Sequence, residues 1–379
     1  MKIAILTLPL RMNYGGLLQA FALQTVLVRR GHEVWVVDRP NKKQFSLSFM
    51  RKLSRIKRLV HNLFTNHPVV TRIWMTEKEE AFISQNTKRF IQENIRTIRI
   101  KKLEKECEEY NFDAFIVGSD QVWRPCYANW LTSYKDYFLE FTANKECIRL
   151  AYAASFGTNQ WEYSPKELQY SSQWVKHFDS VSVREKSAVD LCSMHWHIEA
   201  RQVLDPTLLL EKEDYMKLAA HEEVSGDKFL LVYVLDQSLE KELLINKMAE
   251  ELQLKVRYYT PKMKFEEKQS KSDLSDCVFQ PVSEWIAGFR DASFVFTDSF
   301  HGTVFSIIFS KQFLSIQNEE RGADRFISLL EIFGLQDRLI NPQNYQGMRK
   351  LKSIDFSVVN TIWENEKVNS LNFIQQSKL

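Results

Sequence analysis

The sequence predicts an α/β protein with two domains, each built on a parallel sheet, that face each other across a cleft. Short apolar runs of strand length alternate with segments of helical character, which is the pattern of a parallel sheet covered by helices. This alternating series occurs twice along 379 residues, a length that suffices for two domains with separate cores. The composition, 44% hydrophobic and 26% charged, is that of a globular chain. Since ligands of such sheets bind at the carboxyl ends of the strands, we expect the functional site in the cleft.

The first series forms the N-terminal domain, which we predict over residues 1–200. It opens with a strand, a helix that stops at Gly31 and a second, parallel strand. The predicted strands are Ile3–Leu8, Glu33–Asp38, Asp113–Gly118, Ile148–Ala154 and Ser180–Val183. A basic, mostly helical insert is predicted at about 42–105.

The second series forms the C-terminal domain, predicted over residues 201–345. A short strand over Arg201–Thr207, stopped by a proline, marks the junction. The further strands are predicted at Phe229–Leu235, Lys255–Thr260, Cys277–Gln280, Phe294–Thr297 and Gln312–Ile316, with helices at Leu239–Leu252, Trp285–Phe289, Val304–Phe309 and Phe326–Phe333. The tail, residues 346–379, has the apolar spacing of an amphipathic helix.

The composition also limits the class of protein. A net charge of +3 is too small to indicate a nucleic-acid partner. The five cysteines are scattered and form no C-x-x-C pair, which argues against a disulfide framework or a metal site and suits the reducing cytoplasm. The N-terminal apolar run is too short for a signal sequence, and no run approaches the roughly 20 residues of a membrane span. We therefore expect a cytoplasmic protein.

Two loops of the first domain carry residues suited to a ligand. In Asn13-Tyr14-Gly15-Gly16 the glycines let backbone approach a ligand at a helix start, and Asn13 and Tyr14 offer polar contacts; the alternative is a tight turn that needs glycine. The glycine spacing is not that of the dinucleotide fingerprint. In Ser119-Asp120-Gln121-Val122-Trp123, Asp120 is a candidate base for a sugar hydroxyl and Trp123 a candidate platform for a sugar ring. An Asx turn that only holds the loop is the alternative.

Arginine is the candidate anion ligand of the first domain. Arg184 follows the strand Ser180–Val183 at the turn into a helix, where a guanidinium can bind phosphate or carboxylate in bidentate fashion. The structural alternative is an ion pair with Asp179 or Glu185.

The stretch Thr297–Thr303 is the strongest candidate of the second domain. A buried strand breaks there into Asp298, Ser299, His301 and Gly302 and continues as a hydrophobic helix. The first N–H groups of a helix favour an anion, and a histidine at that point can also move a proton. The alternative is that Asp298 or Ser299 caps the helix and His301 is a packing residue.

Seven lysines and arginines between Lys42 and Arg58 come without an acidic residue and with apolar residues interleaved. A basic amphipathic helix of this kind can lie on an anionic membrane surface. The alternative is a solvated basic face over an insert packed on the core.

Together these motifs resemble the polysaccharide pyruvyl transferases over most of the chain. The resemblance rests on Asn13–Gly16 with Leu18–Ala20 behind it, Val117–Trp123, Ser182–Glu185, Leu204–Thr207 and, above all, Thr297–Gly302 with Arg321–Arg325 downstream. It implies two Rossmann-like domains arranged as in the B-type glycosyltransferases, with the active site between them. It also implies transfer of pyruvate from phosphoenolpyruvate onto two sugar hydroxyls as a cyclic ketal, with phosphoenolpyruvate as co-substrate and no cofactor or metal.

The resemblance and the chemistry together suggest roles for individual residues. The donor carries a phosphate and a carboxylate, for which the candidates are Arg184, Asp298, Ser299, His301, Gly302, Arg321 and Arg325. His301 is the candidate general acid, although a helix N-terminus disfavours a charged imidazole until phosphate binds. Some members of the family carry an arginine where this chain has Ser299, and the sequence leaves open whether Arg321 or Arg325 replaces it.

The saccharide acceptor is expected to face the first domain. Its candidate contacts are Asn13, Tyr14, Gly15, Gly16, Ser119, Asp120, Gln121 and Trp123. Acceptors of the family are cell-surface glycans of bacteria or their lipid-linked precursors, and the basic stretch would then contact the inner membrane. Two rival functions are a glycosyltransferase that uses a nucleotide sugar and a non-catalytic glycan-binding protein. The oligomeric state stays open.

Overall fold

The computed structural model describes residues 1–39, 75–131, 133–268, 273–317, 322–345 and 347–379. Twelve strands lie in these ranges. They are β1 (Lys2–Leu6), β2 (Glu33–Asp38), β3 (Thr97–Arg99), β4 (Ala114–Val117), β5 (Ile148–Ala154), β6 (Ser180–Val183), β7 (Arg201–Gln202), β8 (Phe229–Tyr233), β9 (Lys255–Tyr258), β10 (Phe294–Thr297), β11 (Phe313–Ile316) and β12 (Leu339–Ile340). The basic stretch Lys42–Arg58 and Arg321 lie outside the described residues.

The strands form two parallel sheets. The first has the order β3-β2-β1-β4-β5-β6-β7 and the second the order β12-β11-β10-β8-β9. Among the described strands, each sheet has one point where the chain reverses its direction across the sheet, between β1 and β4 in the first and between β8 and β10 in the second. Ligands of open parallel sheets bind beside such points, at the carboxyl ends of the strands. The predicted fold class is confirmed.

Helices cover both sheets. The described helices are α1 (Tyr14–Arg29), α2 (Glu77–Ile83), α3 (Gln85–Asn94), α4 (Leu103–Glu109), α5 (Pro125–Leu131), α6 (Pro165–Val175), α7 (Lys186–Leu191), α8 (Lys212–Leu218), α9 (Leu239–Leu252), α10 (Val282–Asp291), α11 (Phe300–Ile308), α12 (Asp324–Phe333) and α13 (Phe356–Gln376). One apolar core continues from the first sheet into the second domain, because Ile5 and Leu17 belong to the same buried cluster as Phe229 and Phe305. None of these described helices combines the length and the apolar character needed to cross a membrane.

The predicted strand Cys277–Gln280 is wrong. The segment contains the end of a 3-10 turn, Ser275–Cys277, followed by extended chain that joins no sheet. Its polar backbone groups bond to the first domain instead: Phe279 N–H donates to the carbonyl of Ile83 (3.2 Å), and the Phe279 carbonyl accepts from the Asn86 side chain (2.8 Å). The apolar character of this run therefore reflects burial between the domains.

The strand predicted at the junction, Arg201–Thr207, is only partly a strand. Its first two residues form β7 and pair with β6 at the edge of the first sheet. Asp205 then caps a 3-10 turn over Pro206–Leu209. Proline lacks the N–H that a longer ladder would need, so the strand ends before it.

The final helix, α13, returns to the first domain. Ser370 Oγ accepts from Leu204 N–H (2.9 Å), Trp363 Nε1 donates to the Leu208 carbonyl (2.7 Å), and Arg30 donates to the Leu371 carbonyl (3.0 Å). Within the described ranges, the chain thus passes between the two domains twice.

Candidate functional site

The candidate site lies where the reversal points of the two sheets meet. The loop after β1 and the loop after β4 approach the second domain from one side, and the loop after β10 approaches from the other. Each loop is held by buried polar side chains.

In the first sheet, Gln19 joins the loops after β1 and β4. Its amide nitrogen donates to Thr7 Oγ1 (2.9 Å), and its amide oxygen accepts from Ser119 N–H (3.1 Å). Thr7 Oγ1 in turn donates to the Ser119 carbonyl (2.9 Å). Sequence reasoning assigned no role to Gln19, although a glutamine that is 1% exposed within an apolar helix needs such partners.

In the second sheet, Asp298 joins the loops after β8 and β10. Its carboxylate accepts from the backbone N–H groups of Leu235 (2.6 Å) and Asp236 (3.1 Å) and from Lys241 Nζ (2.7 Å). These contacts hold the loop after β8 against the loop after β10. We expected a donor-binding role for Asp298, but in the structure its oxygens bind groups of its own domain and anchor these loops.

Ser299 and Gly302 shape the start of α11. Ser299 is the N-cap, and its hydroxyl accepts from Gly302 N–H (3.4 Å). A Cβ on Gly302 would stand 3.0 Å from Cβ of Thr297 and would overlap its hydroxyl, so the helix can begin this close to the strand only with glycine. The capping alternative for Ser299 is therefore what the structure shows.

His301 projects from α11 onto the first turn of α1. A Cβ on Gly15 would stand 2.7 Å from Cε1 of His301 and would overlap Nδ1 and Cγ. The missing side chain of Gly15 thus provides the space for the imidazole. By contrast, the nearest atom to a Cβ on Gly16 would be 3.5 Å away, an ordinary contact within its own turn.

Asp205 is the buried acid of the site, and sequence reasoning gave it no role. One oxygen lies 2.9 Å from Arg184 Nη2, 3.3 Å from Ser119 Oγ and 3.6 Å from His301 Nε2. The other accepts from the backbone N–H and the hydroxyl of Thr207 (2.9 and 2.6 Å). Burial on its own would raise the pKa of Asp205, but Arg184, His301 and Thr207 together hold it well below its usual range.

Asp205 follows β7, the edge strand of the first sheet, and therefore presents a fixed negative charge to His301. Its nearer oxygen lies 3.6 Å from Nε2 of His301. The Leu204–Thr207 motif, in which an acid precedes a proline, was the available signal.

Arg184 and Arg325 come together from different domains. Their guanidinium carbons lie 4.8 and 5.4 Å from the centre of the Phe300 ring, and both side chains are buried. Arg184 Nη2 also hydrogen-bonds Ser119 Oγ. Among the described residues, Nε and Nη1 of Arg184 and Nε2 of His301 have no hydrogen-bond partner. A buried guanidinium with open N–H groups is suited to an anionic ligand.

Asp120 lies next to Arg325, with 3.7 Å between its Oδ1 and Arg325 Nη1. The same oxygen accepts from Gln121 N–H (2.9 Å). Asp120 has a φ of 76°, a left-handed conformation that side chains with a Cβ rarely adopt. Burial lowers the pKa of Arg325 and Arg184 lowers it further, whereas Asp120 opposes the change.

Glu185, the residue after Arg184, is fully buried. Ser155 donates a hydrogen bond to its Oε1, and Oε2 has no partner among the described residues. Burial raises the pKa of Glu185, against the opposing effects of Arg184, Ser155 and Arg325. A predicted pairing of Arg184 with Asp179 does not occur; Asp179 accepts from the backbone of Arg149 (2.9 Å).

Two of the predicted acceptor contacts, Trp123 and Tyr14, have rings that are buried in the core. Trp123 is 0% exposed, stacks on Phe138 (6.0 Å between ring centres) and meets Trp196 edge-on (5.1 Å), so it is not accessible to a sugar. Tyr14 is also buried, stacks on Trp285 and donates from its hydroxyl to the Gln280 carbonyl (2.9 Å). Aromatic character at a loop indicated binding, but both rings are core residues.

The remaining predicted residues lie around the cleft. Asn13 is exposed and caps α1, accepting from Gly16 N–H (3.3 Å). Gln121 is buried and accepts from Arg124 (3.1 Å). The loops at Gly157 and Gly322 touch across the cleft, since a Cβ on Gly322 would stand 2.9 Å from the carbonyl carbon of Gly157. The described residues contain no group of three His, Cys, Asp or Glu that could hold a metal.

Solved structures with a similar arrangement are distant in sequence. S. aureus MnaA with UDP is 12% identical, with 100% of this chain and 90% of that chain covered and a TM-score of 0.48. The UDP-GlcNAc 2-epimerase from Methanocaldococcus jannaschii is 12% identical, with 96% and 92% covered and a TM-score of 0.44. Arabidopsis thaliana UGT89C1 complexed with UDP-L-rhamnose is 9% identical, with 100% and 99% covered and a TM-score of 0.49.

No curated protein matches the sequence. The family model described as polysaccharide pyruvyl transferase matches residues 13–320, a range that includes Gly15, Asp120, Arg184, Asp205 and His301. The match extends over most of the chain and over both domains, and the chain belongs to the polysaccharide pyruvyl transferase family.

Proposed function

We propose that this transferase moves pyruvate from phosphoenolpyruvate onto two hydroxyls of a sugar, in a bacterial cell-surface polysaccharide or its lipid-linked precursor, in the cytoplasm. The observation that carries the proposal is the pairing of Arg184 and His301 through Asp205. Both side chains are buried; Nε and Nη1 of Arg184 have no hydrogen-bond partner among the described residues, and Nε2 of His301 lies 3.6 Å from Asp205. The guanidinium of Arg184 is suited to binding an anion, and the imidazole of His301 is suited to transferring a proton.

The donor has two anionic groups, and the site contains two arginines, one from each domain. Arg184 and Arg325 both lie against Phe300, so a phosphate or carboxylate between them would be bound from both sides of the cleft. We assign to Arg325 the role of the arginine that other members carry at the position of Ser299. Its place beside Arg184 supports this assignment, and Asp120 supplies its counter-ion in the free protein.

The reaction needs two proton transfers and one leaving group. The first sugar hydroxyl adds to C2 of the donor while a proton goes to C3, which becomes the methyl group. The second hydroxyl then displaces phosphate from C2 and closes the ketal, and its proton leaves with the phosphate. His301 is the proposed acid toward C3, with Asp205 3.6 Å from its Nε2, and Asp120 is the proposed base for a hydroxyl.

The test is incubation of the protein with phosphoenolpyruvate and a series of galactosides. The expected result is release of phosphate together with a sugar product heavier by pyruvate less one water. A parallel series with nucleotide sugars addresses the rival glycosyltransferase function. Transfer of a sugar from a nucleotide sugar, with no ketal formed on any galactoside, would contradict the proposal and support the glycosyltransferase function. Binding of glycans with neither reaction would support the non-catalytic alternative.

A further inference from the structure

A second feature of the cleft is a cavity beside the proposed reaction site. It has a volume of about 310 Å³ and is lined by both domains. Met12, Asn13 and Tyr14 belong to the first domain, whereas Leu235 and Phe265 follow strands β8 and β9 of the second. A volume near 300 Å³ is at the lower end of small-molecule sites.

The walls of the cavity are mainly apolar. Ile83, Phe265 and Cys277 on its lining form one buried cluster with Leu274, and Met12, Met75 and Phe279 pack against that cluster. Methionine side chains adapt to irregular apolar ligands, and three of them, Met12, Met75 and Met263, line this cavity. Phosphoenolpyruvate is small and anionic, so these walls do not match the donor.

The cavity adjoins the reaction site through the backbone. Asn13 and Tyr14 on its lining directly precede Gly15, on which the imidazole of His301 rests. A molecule in the cavity therefore lies beside the turn that contacts the proposed acid, on the side that we expect to hold the acceptor.

The charges around the cavity do not favour a diphosphate. Lys262 and Lys264 are balanced by Glu266 and Glu267 on the same lining. Lys264 Nζ also lies 3.5 Å from Asp236 Oδ1. With equal numbers of each sign, the described lining gives a nucleotide or other diphosphate no net attraction.

We propose that the cavity binds the apolar aglycone of a glycoside acceptor whose sugar points toward His301. The inference rests on the proposed pyruvyl transfer and adds that the enzyme recognises an acceptor sugar by the apolar group attached to it. Straight alkyl chains and aromatic rings share this chemistry, and the experiment separates them.

The test compares methyl, octyl and phenyl galactosides as acceptors at saturating phosphoenolpyruvate. Burying even two methylene groups lowers KM by about tenfold, so we expect octyl galactoside to have a KM at least that much below that of the methyl glycoside. A low KM for octyl alone indicates a chain-shaped aglycone, and a low KM for phenyl alone indicates a ring. Equal KM values for all three would overturn the inference.

Matched variants locate the effect. Met263→Glu places a charge on the lining at a residue that is 36% exposed, and Met216→Glu does the same on α8 at 39% exposure, away from the cavity lining. We expect Met263→Glu to raise the KM of octyl galactoside about tenfold and to leave the KM of methyl galactoside and of phosphoenolpyruvate unchanged. Met216→Glu should behave like the wild type. Met12→Glu, on the opposite wall, gives a second test if Met263→Glu unfolds.

The outcomes separate the two proposals. Absence of phosphate release with every glycoside contradicts the proposed function. Phosphate release with no dependence on the aglycone, or with the same KM in Met263→Glu, Met12→Glu and wild type, contradicts this inference alone. Binding of a nucleotide sugar in the cavity, with no binding of octyl galactoside there, would contradict the inference as well.

Discussion

The imidazole of His301 in the second domain occupies the space that a side chain on Gly15 in the first domain would fill. A Cβ on Gly15 would stand 2.7 Å from Cε1 of His301 and closer still to Nδ1 and Cγ. Real Cβ contacts are longer than this, so the two residues constrain each other. The glycine of one domain thereby fixes the position of the proposed acid of the other.

Gly15→Ala should displace His301 and lower pyruvyl transfer. Misplacing a catalytic group by about 1 Å can cost on the order of 100-fold in rate, and we expect a loss of that size in kcat from phosphate release. Gly16→Ala is the matched control, because its Cβ meets nothing closer than 3.5 Å and alanine favours a helix. Equal activity of the two variants would contradict the constraint.

His301→Gln should strongly lower turnover and retain donor binding. Loss of a general acid lowers rates by roughly 100- to 10,000-fold, whereas Arg184 and Arg325 remain in place for the anion. Phosphate release measures the first effect, and a thermal shift with phosphoenolpyruvate measures the second. His195→Gln serves as the control, since that ring stacks on Trp161 (4.0 Å between ring centres) and lies outside the site. Full activity in His301→Gln would rule out the proposed acid.

Asp205→Asn should destabilise the fold. The substitution removes the negative partner of the buried Arg184, and breaking a buried ion pair costs about 3–5 kcal/mol in the free energy of unfolding. Urea denaturation of variant and wild type gives the difference. For comparison, Asp227→Asn removes the partner of Arg257 at an exposed position and should cost at most about 1 kcal/mol. Similar losses of unfolding free energy in Asp205→Asn and Asp227→Asn would contradict the prediction.

Glu185→Gln should change how stability depends on pH. Burial raises the pKa of Glu185, so the folded state keeps a proton at pH values where the unfolded chain has released it. The folded state then binds more protons, and the contribution of Glu185 to stability is lost as pH rises from the unfolded pKa through the folded one.

The glutamine variant lacks this titration. Its free energy of unfolding relative to wild type should therefore increase as pH rises above about 4.3, measured by urea denaturation over a pH series. Glu104→Gln at the exposed surface controls for the loss of a charge. A difference between Glu185→Gln and wild type that does not change with pH would contradict the prediction.

The central strands were predictable because they are buried on both faces. β4, β8 and β10 read as continuous apolar runs, as expected for parallel strands covered by helices. The edge strands β3, β7 and β12 have two or three residues with exposed or half-exposed side chains, so no apolar run marks β3 or β12. Apolar character misled at Cys277–Gln280 because burial between domains leaves the same signal as burial in a sheet.

The site was predictable only where a residue's chemistry is visible from its neighbours in sequence. His301, Arg184 and Asp120 each follow a strand, and the structure brings Arg184 and His301 to one carboxylate. The identity of that carboxylate, Asp205, depends on tertiary contacts that no local spacing encodes. Trp123 shows the converse, because a tryptophan beside a polar loop is compatible with both a binding platform and a core.

The double passage of the chain between the domains restricts how the cleft can open. The first connection follows β7, and the second leads from β12 to α13, which is pinned to the first domain at Leu204 and Leu208. A body tied to another at two points can swing only about the line that joins them. Opening of the cleft, for substrate entry and for product release, should therefore be a rotation about one axis through these two crossings.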